Sequence, residues 1–565
     1  MRTYVCSGDG PLASDNNMKP TLEQQAVVDA NGKVIKAVAF AGAGKTSTFV
    51  ERAKAHNKRT LYLCFNKSVQ MEAEKRFPGH VTCKTQHGLA YQAIITRRGY
   101  NGIRYSNVGK LFLKPTAQRF RIDYYMVSLV HKTVENFCNS ADNELTIAHA
   151  QPDVIGRYTY DVSETVVNFA RQLWELMISG NDQKDFPMTH GGYLKLFQLS
   201  KPRLGYEVVM LDEAQDTNPV VHDIVLSQAD YGSQIILTGD PYQQIYAWRG
   251  AVDALNKVKA DTYYMTQSFR FGPEVAGVAN HLLNTFFNEE RALVGLGHAG
   301  VISGLNQHNV RDAHGMGADS LPETYTFLAR TNAYLFAEAS RRAGTCKMYV
   351  PGSGQNGELP IFQAVLDVFA LYQNRKFDIK GDYDLRHFDD YWQFLDFVKT
   401  GMADPEWTIS AAMIEKYREG IPHQIEKIRQ SLVSRPEDAQ VMLVTAHRAK
   451  GMEWDNVVLG NDYAELFGED GSIRQLGDDR KTQVKHDEIN LLYVAATRAK
   501  KHLTLNAQLA QLLAYRQGRA TAPTVSMTVR PVTGEGAFRD QLGKIAGKQV
   551  EAEEAEIAAI EGSHD

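Results

Sequence analysis

Ala39-Phe40-Ala41-Gly42-Ala43-Gly44-Lys45-Thr46 is the stretch on which the fold turns. A strand-like apolar run (34–40) leads into it, and a helix-like pattern leaves it. A phosphate-binding loop usually has Gly at its first position; here that position is Ala39. The other parts are present. Gly42 and Gly44, with Ala41 and Ala43 alongside and Ser47 just beyond, leave backbone N–H groups free to wrap phosphate oxygens. Lys45 has the reach for β- and γ-phosphates, and the Thr46 hydroxyl suits Mg²⁺. A chance glycine-rich turn would look the same in isolation, so the loop needs support from elsewhere.

The support lies downstream. Val208-Val209-Met210-Leu211 is an apolar run suited to a buried strand, and it ends in Asp212-Glu213-Ala214-Gln215-Asp216. Asp212, at the edge of that strand, is placed to organise a Mg²⁺ shell, and Glu213 can take a proton from an attacking water. The competing reading is a helix N-cap, where acids also help. A third segment runs from Gly239 to Ala251, after the strand-like Ile235–Thr238. In it Gln243 can sense a γ-phosphate, and Tyr246 and Trp248 can face a base; both aromatics could equally be core.

Around these motifs, β-branched apolar runs alternate with helical patterns. The candidate strands are Val34–Phe40, Thr60–Phe65, Glu207–Leu211, Gln234–Leu237, Tyr325–Ala329, Val441–Thr445 and Asn456–Leu459. That alternation predicts an α/β protein with parallel sheets covered by helices. Two mostly helical stretches interrupt two such cores. The expected layout is a first core (1–90 and 205–265) with a helical insertion (91–204), and a second core (266–345 and 436–520) with another (346–435). Residues 521–565 are expected to form a tail, acidic at its end.

Composition narrows the function. A chain of 565 residues with 43% hydrophobic and 23% charged residues is neither disordered nor fibrous. Its 62 Lys and Arg against 66 Asp and Glu give a net charge of −4, which argues against coating nucleic acid through bulk positive charge. A nucleic-acid site would have to be a local track. One candidate runs from Tyr91 to Lys132, where eight basic residues (among them Arg97, Arg98, Arg104 and Lys110) are interleaved with aromatics and accompanied by one acid, Asp123. A solvated helical face is its bland alternative. No apolar run approaches the ~18–20 residues of a membrane span, and the N-terminal residues lack a secretory apolar stretch. Five cysteines without a C-x-x-C pair argue against a disulfide framework or zinc site. The expected location is cytoplasmic.

In order along the chain, these motifs resemble superfamily 1 helicases of the UvrD/Rep type, over nearly everything from about residue 20 to 510. Thr21-Leu22-Glu23-Gln24 is similar to the Q motif, with Gln24 on the adenine edge and Gln25 as a one-residue alternative. Phe65-Asn66-Lys67 resembles motif Ia with spacing tighter by one residue, and Thr85-Gln86-His87-Gly88 resembles the T-x-H DNA-contact motif. Ser268-Phe269-Arg270 is similar to motif IV, with Phe269 in the adenine-stacking slot, and Arg330-Thr331-Asn332 to motif IVa. The run from Thr445 through His447 to Glu453 and Trp454 resembles motif V, and Leu492–Ala499 resembles motif VI. Phe137–Ile147, Met188–Leu196 and Leu199–Pro202 lie outside the shared motifs and resemble the F-box DNA helicase branch. Only about twenty residues precede the Q motif, so no F-box and no ubiquitin-ligase partner are expected.

The resemblance implies two RecA-like cores, named 1A and 2A, with ATP and Mg²⁺ between them and insertions 1B and 2B. It assigns Lys45, Glu213, Gln243, Arg270 and Arg498 to catalysis, Arg498 as the arginine finger. Gln24, Ala41 to Ser47, Phe269, Arg270, Glu453 and Arg498 would hold nucleotide, and Thr46 and Asp212 the metal. Phe65, Asn66, Thr85, His87, Tyr246, Trp248, Thr445 and His447 would contact DNA. The implied activity is ATP-driven 3′→5′ movement on single strands and at single-strand/duplex junctions, in DNA repair or recombination. One alternative task is stripping a RecA-type recombinase from single strands; another is a non-motor nucleotide switch.

Overall fold

The computed structural model describes residues 19–96, 102–150, 160–246, 255, 258–304, 321–352, 358–359, 361–479 and 482–516. Strands β1 (Val34–Ala39), β2 (Thr60–Cys64), β3 (Val81–Thr85), β4 (Val208–Leu211), β5 (Gln234–Gly239) and β6 (Asp261–Met265) form one six-stranded sheet in the order β3-β2-β4-β5-β1-β6. Every pairing in it is parallel. The central strands β2 and β4 are buried at every residue, as strands covered on both faces must be. The edge strands β3 and β6 are mostly half-exposed.

After a short parallel pair, β7 (Gln267–Ser268) and β8 (Val294–Gly295), come β9 (Val301–Ser303), β10 (Tyr325–Ala329), β11 (Met348–Tyr349), β12 (Val441–Thr445), β13 (Trp454–Leu459), β14 (Gln475–Leu476), β15 (Gln483–Val484) and β16 (Ala499–Thr504). The strands β14 and β15 pair with each other; the rest build a second six-stranded sheet, β11-β12-β10-β13-β16-β9. It too is parallel throughout. The chain is α/β, with two parallel sheets flanked by helices.

The long stretch between β3 and β4 is helical in its described part and contributes no strand to the first sheet. Its helices start where short polar side chains satisfy their free N–H groups: Asp123 accepts from Met126 N–H, and Thr189 from Gly192 N–H. Between β11 and β12 lie the helices Ile361–Tyr372, Tyr391–Lys399, Pro405–Tyr417 and Ile421–Arg429. Asp390 and Asp404 cap two of these in the same way.

The two helical stretches touch. Lys110 Nζ lies 2.9 Å from Asp382 and 3.7 Å from Asp384. Leu113 N–H donates to Asp384 at 3.2 Å, and the Tyr124 and Phe388 rings meet edge to face with centroids 5.5 Å apart. The cores also share apolar packing. Val38, Phe40 and Ala41 are buried in one cluster with Phe271, Val275 and Tyr493. No helix among the described residues is long and apolar enough to cross a membrane.

Candidate functional site

In a parallel sheet all strands end at one edge, and the loops leaving that edge converge. The loop after β1 is the phosphate-loop motif. Ala39 is the last residue of β1, fully buried and paired with Met265. It is a strand residue, so Ala in place of the usual Gly fits there. Gly42 has φ +78, and a Cβ on it would sit 2.3 Å from Ser268 Oγ and 2.9 Å from Arg270 Cβ. Only glycine lets segment 268–270 close over the loop. Phe269 N–H donates to the Gly42 carbonyl at 3.0 Å. Gln24 completes a capping box with Thr21 and donates from Nε2 to the Ala43 carbonyl at 3.1 Å. Gln25 instead donates to Asp29 at 2.9 Å. Gln24 and the Phe269 ring both approach Gly44, so they flank the same point of the loop. Ser47 is exposed, and its hydroxyl accepts from Arg76 at 2.7 Å.

Lys45 starts the helix after the loop, and its Nζ lies 3.2 Å from Glu213 Oε1. Glu213 takes the left-handed conformation (φ 53) just beyond β4, a strained position for a side chain of its size. Gln215 donates to its other oxygen at 2.5 Å. Asp212 is buried and accepts from the Tyr62 hydroxyl at 2.6 Å, and Tyr62 also bonds Thr46. The two expected metal ligands are therefore linked through one buried tyrosine. Burial and the neighbouring Glu213 lift Asp212 to about 6. Burial pushes Glu213 the same way, but Lys45 and Lys450 outweigh it and hold this carboxyl well below its ordinary range. The two acids thus differ in proton affinity although they are adjacent.

From the second half of the chain, Lys450 forms an ion pair with Asp216, donates to the Gln243 carbonyl at 2.7 Å and lies 3.6 Å from Glu213. The Tyr493 hydroxyl, fully buried, donates to Asp240 at 3.1 Å and accepts the Ala41 N–H at 3.2 Å. Gln243 donates to Asp240 at 2.8 Å. Arg270 donates to Glu453 at 2.7 Å and to the Thr497 carbonyl at 3.3 Å. Arg498 is buried, and its guanidinium donates to the carbonyls of Val494 (2.9 Å) and Met452 (3.2 Å) and to Thr497 Oγ1 (3.2 Å). Burial and the nearby Arg270 lower its proton affinity, to about 9.

A second set of expected residues follows the strand ends. The Phe65 ring stacks on Tyr246 (centroids 5.5 Å, 12°), and Tyr246 meets His447 at 6.2 Å. Tyr246 also donates to the His447 carbonyl at 3.1 Å. Thr85, paired in register with Cys64, lies beside the start of this row. Its hydroxyl accepts from Gly88 N–H at 2.9 Å, and Asn66 accepts from Val69 N–H at 2.9 Å, so both side chains serve as helix caps. Thr445 is buried at the end of β12. Trp248 lies outside the described residues.

The sequence matches the family model of the UvrD/REP helicase N-terminal domain over residues 21–262 and that of the UvrD-like helicase C-terminal domain over residues 415–509. The chain belongs to the UvrD-like helicase family. It is 33% identical over 550 residues to F-box DNA helicase 1 of Gallus gallus, covering 90% of this chain and 51% of that one. To F-box DNA helicase protein 1 of Schizosaccharomyces pombe it is 31% identical, covering 90% and 60%. The ATP-dependent DNA helicase UvrD2 of Mycobacterium tuberculosis is 23% identical over 356 residues, 56% of this chain and 49% of that one. The chain thus spans between half and three-fifths of the length of the two F-box relatives.

The residues of this UvrD-like chain fit a magnesium nucleotide. Among the described residues no group of three His, Cys, Asp or Glu side chains could hold a metal ion. Mg²⁺ needs less from the protein, because it binds through one or two oxygens plus phosphates. Thr46 and Asp212, on either side of Tyr62, supply that set.

Tyr62, Lys450 and Tyr493 carry no expected role from the sequence, yet each joins parts of the cleft. Lys450 and Tyr493 stand inside the motif V and VI stretches, which was the available signal. The basic track is less free than expected. Lys110 is paired across to Asp382, Lys132 lies 3.0 Å from Glu135, and Arg97, Arg98 and Tyr100 lie outside the described residues. Arg119 and Arg121 remain exposed.

Proposed function

We propose that the chain is an ATP-dependent DNA helicase and single-strand translocase that moves 3′→5′. One observation carries this reading. Lys450 and Tyr493, from the segments of the second sheet, reach the loops of the first that carry Lys45, Asp212 and Glu213: Lys450 lies 3.6 Å from Glu213, and the Tyr493 hydroxyl accepts the Ala41 N–H. Phosphoryl transfer asks for positioning and charge stabilisation rather than covalent help.

Lys45 and the loop N–H groups would hold the phosphates, with Gln24 and Phe269 at the base. Thr46 and Asp212 would hold Mg²⁺, which when bound neutralises developing phosphate charge. Glu213, kept ionised by its two lysine neighbours, would accept the proton of the attacking water. Arg270 and Arg498 come with the second core, so hydrolysis would depend on closure of the cleft. Closure would shift the row Phe65–Tyr246–His447, whose members come from both cores, and move the grip on a single strand. The polarity follows the UvrD/Rep resemblance.

The test is unwinding of 3′-tailed and 5′-tailed duplexes, with Lys45→Ala as the inactive control. Unwinding of the 3′-tailed duplex alone is the expected result. Unwinding of only the 5′-tailed duplex overturns the polarity. DNA-stimulated ATP turnover without unwinding of either would leave a translocase that does not separate strands, and no turnover would leave a switch.

A further inference from the structure

Two segments 106 residues apart meet on one hydroxyl. His87, in the T-x-H motif, and His190, in the Met188–Leu196 stretch to which no role has been given, both approach the Tyr193 hydroxyl through Nδ1, each at 3.1 Å. Tyr193 is 2% exposed, whereas both histidines are exposed. The two imidazoles stand nearly perpendicular, 6.2 Å apart, and Tyr91 packs edge-on against Tyr193 from the side. The position is fixed by close packing: a Cβ on Gly192 would lie 2.9 Å from both Met177 and Met188.

Proton counting gives this arrangement a direction. A tyrosine hydroxyl has one proton to donate. If it donates to one Nδ1, that imidazole carries its own proton on Nε2. The other ring must then donate from Nδ1 to the tyrosine oxygen. The ring that accepts the tyrosine proton therefore has an N–H on its outer nitrogen, and the other ring, when neutral, does not. Among the described residues neither Nε2 has a hydrogen-bond partner. The pair stands at the strand-edge end of the row formed by Phe65 and Thr85, where β3 passes into the helix Gln86–Tyr91.

We propose that His190 is the ring that accepts the Tyr193 proton, and that it is a DNA-contact residue donating from Nε2 to a backbone phosphate of the single strand, next to His87, with Tyr193 as the positioning residue that sets both rings. The proposal rests on the DNA-motor reading above and extends its strand path from the sheet edge onto the helix His190–Leu199. Phosphate is the fitting ligand because an exposed N–H donor beside a stacking row matches the alternation of phosphate and base along a single strand.

The test uses the full chain, a fluorescent oligothymidylate and anisotropy to measure binding, with three variants at one position. His190→Ala is expected to weaken binding by about tenfold, the size of one hydrogen bond to a charged oxygen. Gln can place an N–H where Nε2 was, and Asn where Nδ1 was. His190→Gln should therefore recover most of the affinity, and His190→Asn should not. Recovery by Asn and not by Gln would show that the bond to Tyr193 is all that matters and would overturn the proposal. So would an unchanged affinity in His190→Ala. Tyr193→Phe, which keeps the ring, is expected to weaken binding about threefold and to shrink the Gln–Asn difference. If the unmodified chain fails to bind the oligonucleotide, the DNA-motor reading falls with it. If it binds and hydrolyses ATP while the His190 series is flat, only this proposal falls.

Discussion

The Tyr493 hydroxyl donates to Asp240 and in the same place receives the Ala41 N–H, so one side chain of the second core holds two loops of the first. Removing that hydroxyl leaves a buried amide and weakens the hold on a buried carboxylate. Tyr493→Phe is expected to cost about 1–3 kcal/mol in stability, seen as a lower thermal midpoint. Tyr493 also stands five residues before Arg498, so its loss should disturb the approach of that arginine. ATP turnover should fall about tenfold while nucleotide affinity stays close to that of the unmodified chain; equal losses in both would contradict the geometry.

Lys450 is the cation shared by Asp216 and Glu213. Lys450→Met leaves Asp216 buried without it, and a loss of about 3 kcal/mol is expected from thermal unfolding. The pH profile gives an independent check. Burial opposes ionisation of Glu213, and Lys45 and Lys450 keep it ionised. Without Lys450 its proton affinity rises, so the base protonates at a higher pH. The acid limb of ATP turnover should move upward, and an unmoved limb would remove Glu213 from the role of base.

Arg498 is locked onto three acceptors of its own core. Arg498→Ala is expected to lower DNA-stimulated ATP hydrolysis by about a thousandfold while nucleotide still binds. The buried site makes Arg498→Lys a useful companion, because it keeps charge and most of the volume but loses the planar fork. Turnover restored in full by Lys would mean that charge alone suffices and that the forked geometry is dispensable.

His131 offers a prediction about acid stability. Burial pushes its imidazole down from 6.5 to about 4, and it bonds Thr116 Oγ1 at 2.8 Å. The unfolded chain therefore binds this proton at a higher pH than the folded one. The associated stability is whole above about 6.5 and drains as pH falls towards about 4, a total of about 3 kcal/mol. His131→Gln should flatten that part of the curve, so its thermal midpoint should drop less than that of the unmodified chain between about pH 7 and pH 5.

What the sequence made legible was local. The buried strands β2, β4, β10 and β12 read as apolar runs because both of their faces are covered. The strands β3, β6 and β16 do not stand out as apolar runs, because Val81-Thr82-Cys83-Lys84-Thr85, Asp261-Thr262-Tyr263-Tyr264-Met265 and Ala499–Thr504 carry polar residues where one side meets solvent. The phosphate loop and the Asp212–Glu213 pair announce themselves through residue type and position beside a strand. The contacts of Lys450 with Asp216 and of Tyr493 with Ala41 join residues 234 and 452 positions apart, a separation no local pattern encodes.

The contact of Lys110 and Tyr124 with Asp382, Asp384 and Phe388 has a mechanical consequence. Among the described residues the two halves of the molecule meet at the cleft and again through their outlying arms. That makes the framework a closed linkage rather than a pair of bodies on a hinge. A rotation that widens the gap at one junction has to be taken up by slip, bending or release at the other. The ion pair and the ring contact between the arms therefore set a resistance to any rotation that opens the cleft.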